Sequence, residues 1–254
     1  METLSGIDLE VQDAGGERPS LLFLHAEDYF EQHGPFLQRL AESWRVVVPR
    51  HPGFGRSELS PDFRSVDDLA LLYLDLMDHL RLKRPVVVGS SFGGWIALEM
   101  AVRCPEHMGR LVLIGPAGVK FGAREDRGFA DIYQIPDDEV RRLTFADPKR
   151  WAPDYRAMTE EQLASVARDR QSAVHFAWRP YMHNPGLRKW LHRVRMPTLV
   201  VCGDQDGVVS PQSARALAEV LPMAQLKVIA QTGHYPQIEQ VDAVMQAIHA
   251  FARS

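Results

Sequence analysis

The stretch VVVGSSFGGWIALEMA, residues 86–101, passes from three valines through two serines and three glycines into an apolar run. The valines predict a buried strand and the residues after the glycines predict a helix, so the glycine- and serine-rich part joins the two. Such a joint can bind a phosphate on the backbone N–H groups of the helix N-terminus. It can also hold a serine as an exposed nucleophile. The rest of the sequence decides between these two functions.

Short apolar runs alternate with helical stretches along most of the chain. The runs are almost continuously apolar, which is typical of strands covered by helices on both faces. Residues 6–11 alternate between apolar and polar and predict an antiparallel edge strand. This pattern predicts an α/β fold with a mostly parallel central sheet and helices on both faces. The predicted buried strands are residues 20–26, 45–50, 84–90, 110–116, 197–203 and 226–230.

Two of the predicted helices carry start signals. Ser65 is followed three residues later by Asp68 and then by a stripe of apolar residues, which is the pattern of a capping box before an amphipathic helix. Ser210 is followed by Pro211, a residue that suits the first turn of a helix. We therefore expect helices to begin after both serines.

Residues 119–195 break the alternation. They contain no strand-like run, and their helical pieces are separated by prolines. A helical segment of this size and composition needs another surface to pack on. We therefore predict a helical cap over one edge of the sheet at 119–195, with residues 1–118 and 196–254 forming the core.

Composition and charge narrow the range of partners. The 254 residues carry a formal net charge of −4, which gives no reason to expect nucleic acid or an anionic membrane as a partner. The first residues lack the basic and apolar segments of a signal peptide, and no apolar run approaches the roughly 20 residues that span a bilayer. The two cysteines are far apart in sequence and lack metal-ligand spacing. We expect a cytoplasmic protein that binds a small molecule, holds no metal or cofactor, and is compatible with a homodimer.

Polar residues follow several of the predicted strands, where ligands of parallel sheets collect. HAED follows the first buried strand, GSSFGG the third, GDQDG the fifth and GHYPQIE the sixth. The glycine-rich joint lacks the lysine of a phosphate-binding Walker loop, and the chain has no G-x-G-x-x-G, so phosphate binding is disfavoured. Residues 89–93 instead match G-x-S-x-G at a strand-to-helix turn, which favours Ser91 as a nucleophile.

With these motifs in place, the chain resembles the α/β-hydrolase fold superfamily nearly from end to end. Within it, the elbow GSSFGGWIALEMA, HPGFGRS, GDQDGVV and GHYPQIEQ are similar to those of small serine hydrolases with a helical cap, such as esterases and carbon–carbon bond hydrolases. The resemblance implies Ser91 as nucleophile, Asp206 as acid and His234 as base. It also implies that the backbone N–H groups of Glu27 and Phe92 form the oxyanion hole.

One loop departs from the family pattern. The family usually has His-Gly where this chain has His25 and Ala26, so we expect Ala26 to keep a negative φ. A carboxylate beside a developing oxyanion opposes its formation. The acidic pair Glu27 and Asp28 is therefore unfavourable for an oxyanion hole here unless both side chains turn away from the reaction centre.

The substrate is predicted only in broad terms. The leading hypothesis is hydrolysis of an ester, thioester or lactone of a small, largely apolar molecule through an acyl-enzyme on Ser91. The alternatives are a carbon–carbon bond hydrolase of the meta-cleavage-product type and a ligand-binding protein with little turnover. The predicted substrate-binding residues are four aromatic residues of the cap, Trp151, Phe176, Trp178 and Tyr181.

Overall fold

The computed structural model describes residues 1–122 and 128–253. Its main feature is a seven-stranded sheet with the order β3-β5-β4-β6-β7-β8-β9, in which β3 is antiparallel to β5 and the other pairs are parallel. This sheet confirms the predicted fold class. Its strands are β3 Val11–Ala14, β4 Ser20–Leu24, β5 Arg45–Pro49, β6 Val86–Ser90, β7 Arg110–Ile114, β8 Thr198–Gly203 and β9 Ala224–Ile229.

The N-terminal edge strand differs from the prediction. Residues 6–11 do not form one strand: β2, Ile7–Leu9, pairs with β1, Glu2–Leu4, in a separate two-stranded sheet, and the main sheet begins only at β3. The chain turns at Gly6, whose positive φ of 79° suits glycine. The alternation of apolar and polar residues indicates only which side chains are buried. It does not indicate that β2 pairs with β1 whereas β3 pairs with β5.

Helices cover both faces of the sheet. Alternate strand residues enter two apolar clusters: Leu22 packs with α2 and α3 on one face, while Phe23 packs with α1 and α9 on the other. The predicted capping box at Ser65 is present, and Ser210 accepts a hydrogen bond from the backbone of Ser213, so both predicted helix starts are confirmed. The α-helices outside the predicted cap are α1 Gly34–Ala41, α2 Val66–His79, α3 Phe92–Arg103, α7 Pro211–Val220, α8 Pro236–Glu239 and α9 Val241–Arg253.

The segment predicted as the cap lies between β7 and β8 and is mainly helical. Its α-helices are α4 Asp137–Thr144, α5 Pro148–Trp151 and α6 Glu160–Ala177, with 3₁₀ turns at Tyr155–Ala157 and Leu187–Arg193. Residues 123–127 of the predicted cap and residue 254 of the predicted core lie outside the described residues.

This segment contacts the loops that follow the sheet strands. Ser172 of α6 donates to the carbonyl oxygen of Gly53 in the loop after β5, at 2.9 Å. The carbonyl oxygen of Thr144, at the end of α4, accepts from the backbone N–H of His234 at 2.7 Å. Both loops follow the carboxyl ends of their strands, so the helical segment lies over the edge where the sequence places the reactive residues. No helix in the described parts of the chain is both long enough and apolar enough to cross a membrane.

Candidate active site

Ser91 lies at a sharp turn between β6 and α3. Its backbone has φ 48° and ψ −110°, a conformation that L-residues rarely adopt. The glycines on either side make this turn sterically possible: a Cβ on Gly89 would collide with the carbonyl of Gly93, and one on Gly93 would collide with the carbonyl of Leu24. The Ser91 N–H donates to the Ile114 carbonyl oxygen at 2.9 Å, which ties the turn to the neighbouring strand. The G-x-S-x-G pattern therefore has a steric origin in this chain.

Ser91, His234 and Asp206 form one hydrogen-bonded chain. The Ser91 hydroxyl lies 2.8 Å from Nε2 of His234, and Nδ1 of the same ring lies 2.8 Å from a carboxylate oxygen of Asp206. The second carboxylate oxygen of Asp206 accepts from the backbone N–H groups of Val208 and Val209, each at 2.9 Å. The carboxylate therefore fixes the ring with Nδ1 protonated, which leaves Nε2 free to accept a proton from Ser91.

Asp204 follows the same strand as Asp206 but has a different role in the structure. One of its carboxylate oxygens accepts from the backbone N–H of Thr232 at 3.3 Å, which links the loop after β8 to the loop that carries His234. Asp206 and not Asp204 contacts the imidazole, as the resemblance implies.

The three residues of this hydrogen-bonded series are almost completely buried. The exposed fractions of Ser91, His234 and Asp206 are 0%, 1% and 5%. Burial opposes the charged imidazolium, but the nearby carboxylates of Asp206 and Glu27 outweigh it and raise the pKa of His234 above its ordinary value. The site therefore favours the protonated form of His234. Ser91 has no exposed surface in this structure.

The side chain of Glu27 does not turn away from the reaction centre, so the condition for an unopposed oxyanion hole is not met at this residue. It is fully buried, and one of its carboxylate oxygens accepts the backbone N–H of Phe92 at 3.2 Å. The other accepts the hydroxyl of Tyr235 at 2.9 Å. Glu27 and Phe92, the two residues expected to supply oxyanion-hole donors, thus lie together. The backbone N–H of Phe92, however, already donates its hydrogen bond to the Glu27 carboxylate. Ala26 does not have a positive φ, as expected.

The side chain of Asp28, in contrast, turns away from the reaction centre. Its carboxylate accepts from Nε of Arg170, on α6, at 2.9 Å, and its other oxygen accepts the N–H of Tyr29 at 3.0 Å. Burial raises the pKa of Asp28, and the adjacent Arg170 guanidinium only partly offsets that effect. This ion pair joins the loop after β4 to the helical segment. No local sequence pattern indicates that Arg170 is the partner of Asp28, because 142 residues separate the two side chains.

The four aromatic residues predicted to bind substrate do not converge on one place. Phe176 is buried with its ring centroid 6.5 Å from that of Phe92, beside the elbow. Trp178 is 38% exposed, and the Tyr181 hydroxyl donates to the Ala130 carbonyl oxygen. Trp151 packs against a small buried cluster that includes Tyr235. Of the four predicted substrate residues, Phe176 packs against Phe92 of the elbow.

A cavity of about 450 Å³ lies between the loop after β4 and helix α6. None of the four predicted aromatic residues lines it. Arg50, a buried residue in its wall, pairs with Asp169 of α6 at 2.5 Å and has no hydrogen-bond partner for its Nε. The lining residues are Asp28, Tyr29, Phe30, Glu31, Gln32, Arg50, Pro153, Tyr155, Met158, Gln162, Ser165, Val166 and Asp169.

One cluster of candidate metal ligands is found within residues 1–122 and 128–253. Cys104, Glu106 and His107 bring their ligand atoms within 4.8 Å of one another. They follow the C-terminal end of α3, which at 12 residues is about 18 Å long, whereas Ser91 precedes its N-terminal end. This cluster therefore plays no part in the chemistry at Ser91.

Comparison with known proteins agrees with this fold. A family profile described as alpha/beta hydrolase fold matches residues 21–241. The chain belongs to the alpha/beta hydrolase fold family. It is similar to 2-hydroxymuconate semialdehyde hydrolase from Pseudomonas sp. (strain CF600), with 32% identity over 92% of this chain and 87% of that protein.

Two further similarities concern other kinds of hydrolase. A poly(3-hydroxyalkanoate) depolymerase from Ectopseudomonas oleovorans is 28% identical over 92% of this chain and 83% of its own length. The crystal structure of a bacterial membrane phospholipase A superposes with a TM-score of 0.82 at 25% identity, covering 99% of this chain and 84% of that one. The family relationship therefore covers both carbon–carbon bond hydrolases and esterases.

Proposed function

We propose that this protein is a serine hydrolase that cleaves its substrate through an acyl-enzyme on Ser91, with His234 as base and Asp206 as acid. The observation that carries the proposal is the continuous hydrogen-bonded chain from the Ser91 hydroxyl through the imidazole to a carboxylate held by two backbone N–H groups. A serine hydroxyl is a weak nucleophile at neutral pH and needs such a base within hydrogen-bond distance.

The proposed reaction has two halves. Ser91 Oγ bonds to the substrate carbonyl carbon, its proton passes to His234 Nε2, and the carbonyl electron pair moves onto oxygen. The bond to the leaving group then breaks and the imidazolium returns the proton to the leaving atom. In the second half water attacks the acyl-enzyme, again with His234 as base, and releases the carboxylic acid and free Ser91. The backbone N–H of Phe92 faces the position of the developing oxyanion.

For the substrate, we propose a carbon–carbon bond next to a ketone or aldehyde in a conjugated hydroxy acid, of the meta-cleavage-product type. The similarity to 2-hydroxymuconate semialdehyde hydrolase over 92% of this chain supports it and moves the preference away from the ester hypothesis. A carbon leaving group departs only when its electron pair is delocalised. The conjugated hydroxy acid provides that delocalisation once its enol proton has moved to the carbon next to the ketone or aldehyde, because the electron pair then passes to the new 2-oxo group as a dienolate. The proton held by His234 then goes to this dienolate.

Ester hydrolysis is the second candidate. The depolymerase relative supports it.

A direct comparison of the two substrate classes tests this proposal. The purified protein is given a coloured ring-cleavage product, whose visible absorbance is lost on cleavage, and p-nitrophenyl esters of increasing acyl length. We expect the higher kcat/KM with the ring-cleavage product and none with either class in Ser91→Ala. Turnover of esters alone would replace the first candidate by the second. A Ser91→Ala protein with unchanged activity would refute the acyl-enzyme.

A further inference from the structure

Glu27 places a negative charge beside the nucleophile. Its side chain is fully buried, and its two oxygens accept hydrogen bonds from the Phe92 N–H and the Tyr235 hydroxyl. No salt bridge within residues 1–122 and 128–253 involves this carboxylate. Its charge also acts on His234, since it is one of the two carboxylates that raise the pKa of the imidazole. A buried carboxylate with only neutral donors at a reaction centre requires an explanation.

The position of this carboxylate follows from the start of α3. Ser91 makes no side-chain capping bond to the helix, so the first backbone N–H groups of α3 have to find other partners. The N-terminus of a helix favours negative charge, because its free N–H groups and the helix dipole point toward it. The Glu27 carboxylate fills this position as a bound substrate anion would.

The same N–H group is needed in the proposed reaction. When Ser91 adds to a carbonyl, the new oxyanion takes its hydrogen bond from Phe92 N–H, the residue directly after the nucleophile. Two oxygen anions cannot share that donor without strong repulsion in a buried site. The carboxylate and the oxyanion therefore compete for one position.

We propose that Glu27 is an internal anion that occupies the oxyanion position of the closed protein and controls turnover, because its carboxylate has to leave Phe92 N–H before Ser91 can react. The proposal rests on the proposed function of Ser91. In this proposal the side chain of Glu27 slows the reaction and so limits its rate. Its backbone N–H keeps the role expected for it, which is to donate to the oxyanion. The proposal also gives Tyr235 a role, since its hydroxyl holds the carboxylate in place.

Two substitutions at position 27 separate the effect of the negative charge from the effect of an oxygen atom bound to the Phe92 N–H. Glu27→Gln keeps a carbonyl oxygen that can accept Phe92 N–H but removes the charge, and Glu27→Ala removes the side chain altogether. The readouts are kcat and the second-order rate at which a fluorophosphonate labels Ser91, because the phosphonyl oxygen needs the same donor. Loss of one oxyanion donor costs about 10²–10³-fold in rate in a serine protease, so freeing one should accelerate both readouts by up to about 10²-fold.

A matched control comes from the same helix. Glu99 is also a buried carboxylate on α3, where it accepts from Trp95 and pairs with Arg103 at the end away from Ser91. Glu99→Gln makes the same chemical change without touching Phe92, so its rates should stay within about twofold of the unchanged protein. Tyr235→Phe should accelerate both readouts when it is the single substitution, because it releases the Glu27 carboxylate. Added to Glu27→Ala it should have no such effect, because no carboxylate is left to release.

The outcomes distinguish this proposal from the proposed function. If the unchanged protein is labelled at Ser91 while Glu27→Gln and Glu27→Ala are no faster, the internal anion is refuted and the serine mechanism stands. If neither the unchanged protein nor the variants are labelled at Ser91, both proposals fail. A crystal structure of the phosphonyl adduct adds a test that does not depend on rates. We expect a phosphonyl oxygen on Phe92 N–H with the Glu27 carboxylate displaced, and a carboxylate still bound there would refute the proposal.

Discussion

Replacing Asp206 by asparagine should abolish turnover while preserving the fold. The two N–H groups of Val208 and Val209 point at one oxygen of this side chain, so an asparagine has to place its carbonyl oxygen there. Its NH₂ group then faces Nδ1 of His234. The imidazole can accept that hydrogen bond only by moving its own proton to Nε2, and a protonated Nε2 cannot take the proton of Ser91.

The size of the loss follows from this forced tautomer. The equivalent change in a serine protease lowers kcat about 10⁴-fold with the geometry intact, and we expect a similar factor for Asp206→Asn. Asp204 provides the control, because it follows the same strand and makes one hydrogen bond, to the Thr232 N–H. Asp204→Asn keeps an oxygen for that bond and should be fully active. Asp204→Ala loses it and should be less stable by about 1 kcal/mol, or about 2–4 °C in Tm.

The assay compares kcat of the purified variants on whichever substrate class the unchanged protein turns over, alongside thermal unfolding by circular dichroism. Folded but nearly inactive Asp206→Asn, with active Asp204→Asn, is the expected pattern. The reverse pattern would show that Asp204 orients the base and would refute the reasoning from the loop after β8.

Four further results are expected. Ser91→Ala should lose all fluorophosphonate labelling, seen as the missing adduct by mass spectrometry, whereas Ser90→Ala, which loses one hydrogen bond, should still be labelled. Activity requires neutral His234, whose pKa is raised above 6.5 because the neighbouring carboxylates outweigh the effect of burial. We therefore expect kcat/KM to fall with decreasing pH around a midpoint above 6.5. A midpoint below 6 would contradict this expectation. Protonated His234 should also stabilise the fold below the unfolded pKa of about 6.5, a contribution lost as pH rises through the raised folded value. Asp169→Ala leaves Arg50, whose side chain is 5% exposed, with only the exposed Glu31 carboxylate at 3.8 Å, and should lower the free energy of unfolding in urea by about 3 kcal/mol. A loss below about 0.5 kcal/mol would show that the Arg50–Asp169 pair does not hold α6 to the sheet loops.

The sequence by itself determined the fold class and the position of the sharp strand-to-helix turn that carries Ser91. Buried parallel strands are apolar throughout, because helices cover both faces, and this local property is visible in runs such as residues 110–116. The elbow is also local: Gly89 and Gly93 lie within two residues of Ser91, and the absence of their side chains is what permits its backbone conformation. Capping at Ser65 is decided within one helical turn. Patterns of this kind need no knowledge of distant residues.

The tertiary structure decided what depends on residues far apart in the chain. The hydrogen bond between Glu27 and Phe92 joins positions separated by 65 residues, and that between Ser91 and His234 joins positions separated by 143. Motif spacing placed these residues at one edge of the sheet but did not determine the direction of the Glu27 side chain. That direction depends on the free N–H at the start of α3 and on the Tyr235 hydroxyl, which meet only once the strands are assembled. The pairing of residues 7–9 with the N-terminal strand, and the position of Phe176 beside the elbow, were decided in the same way, by packing partners that local hydrophobic patterns do not encode.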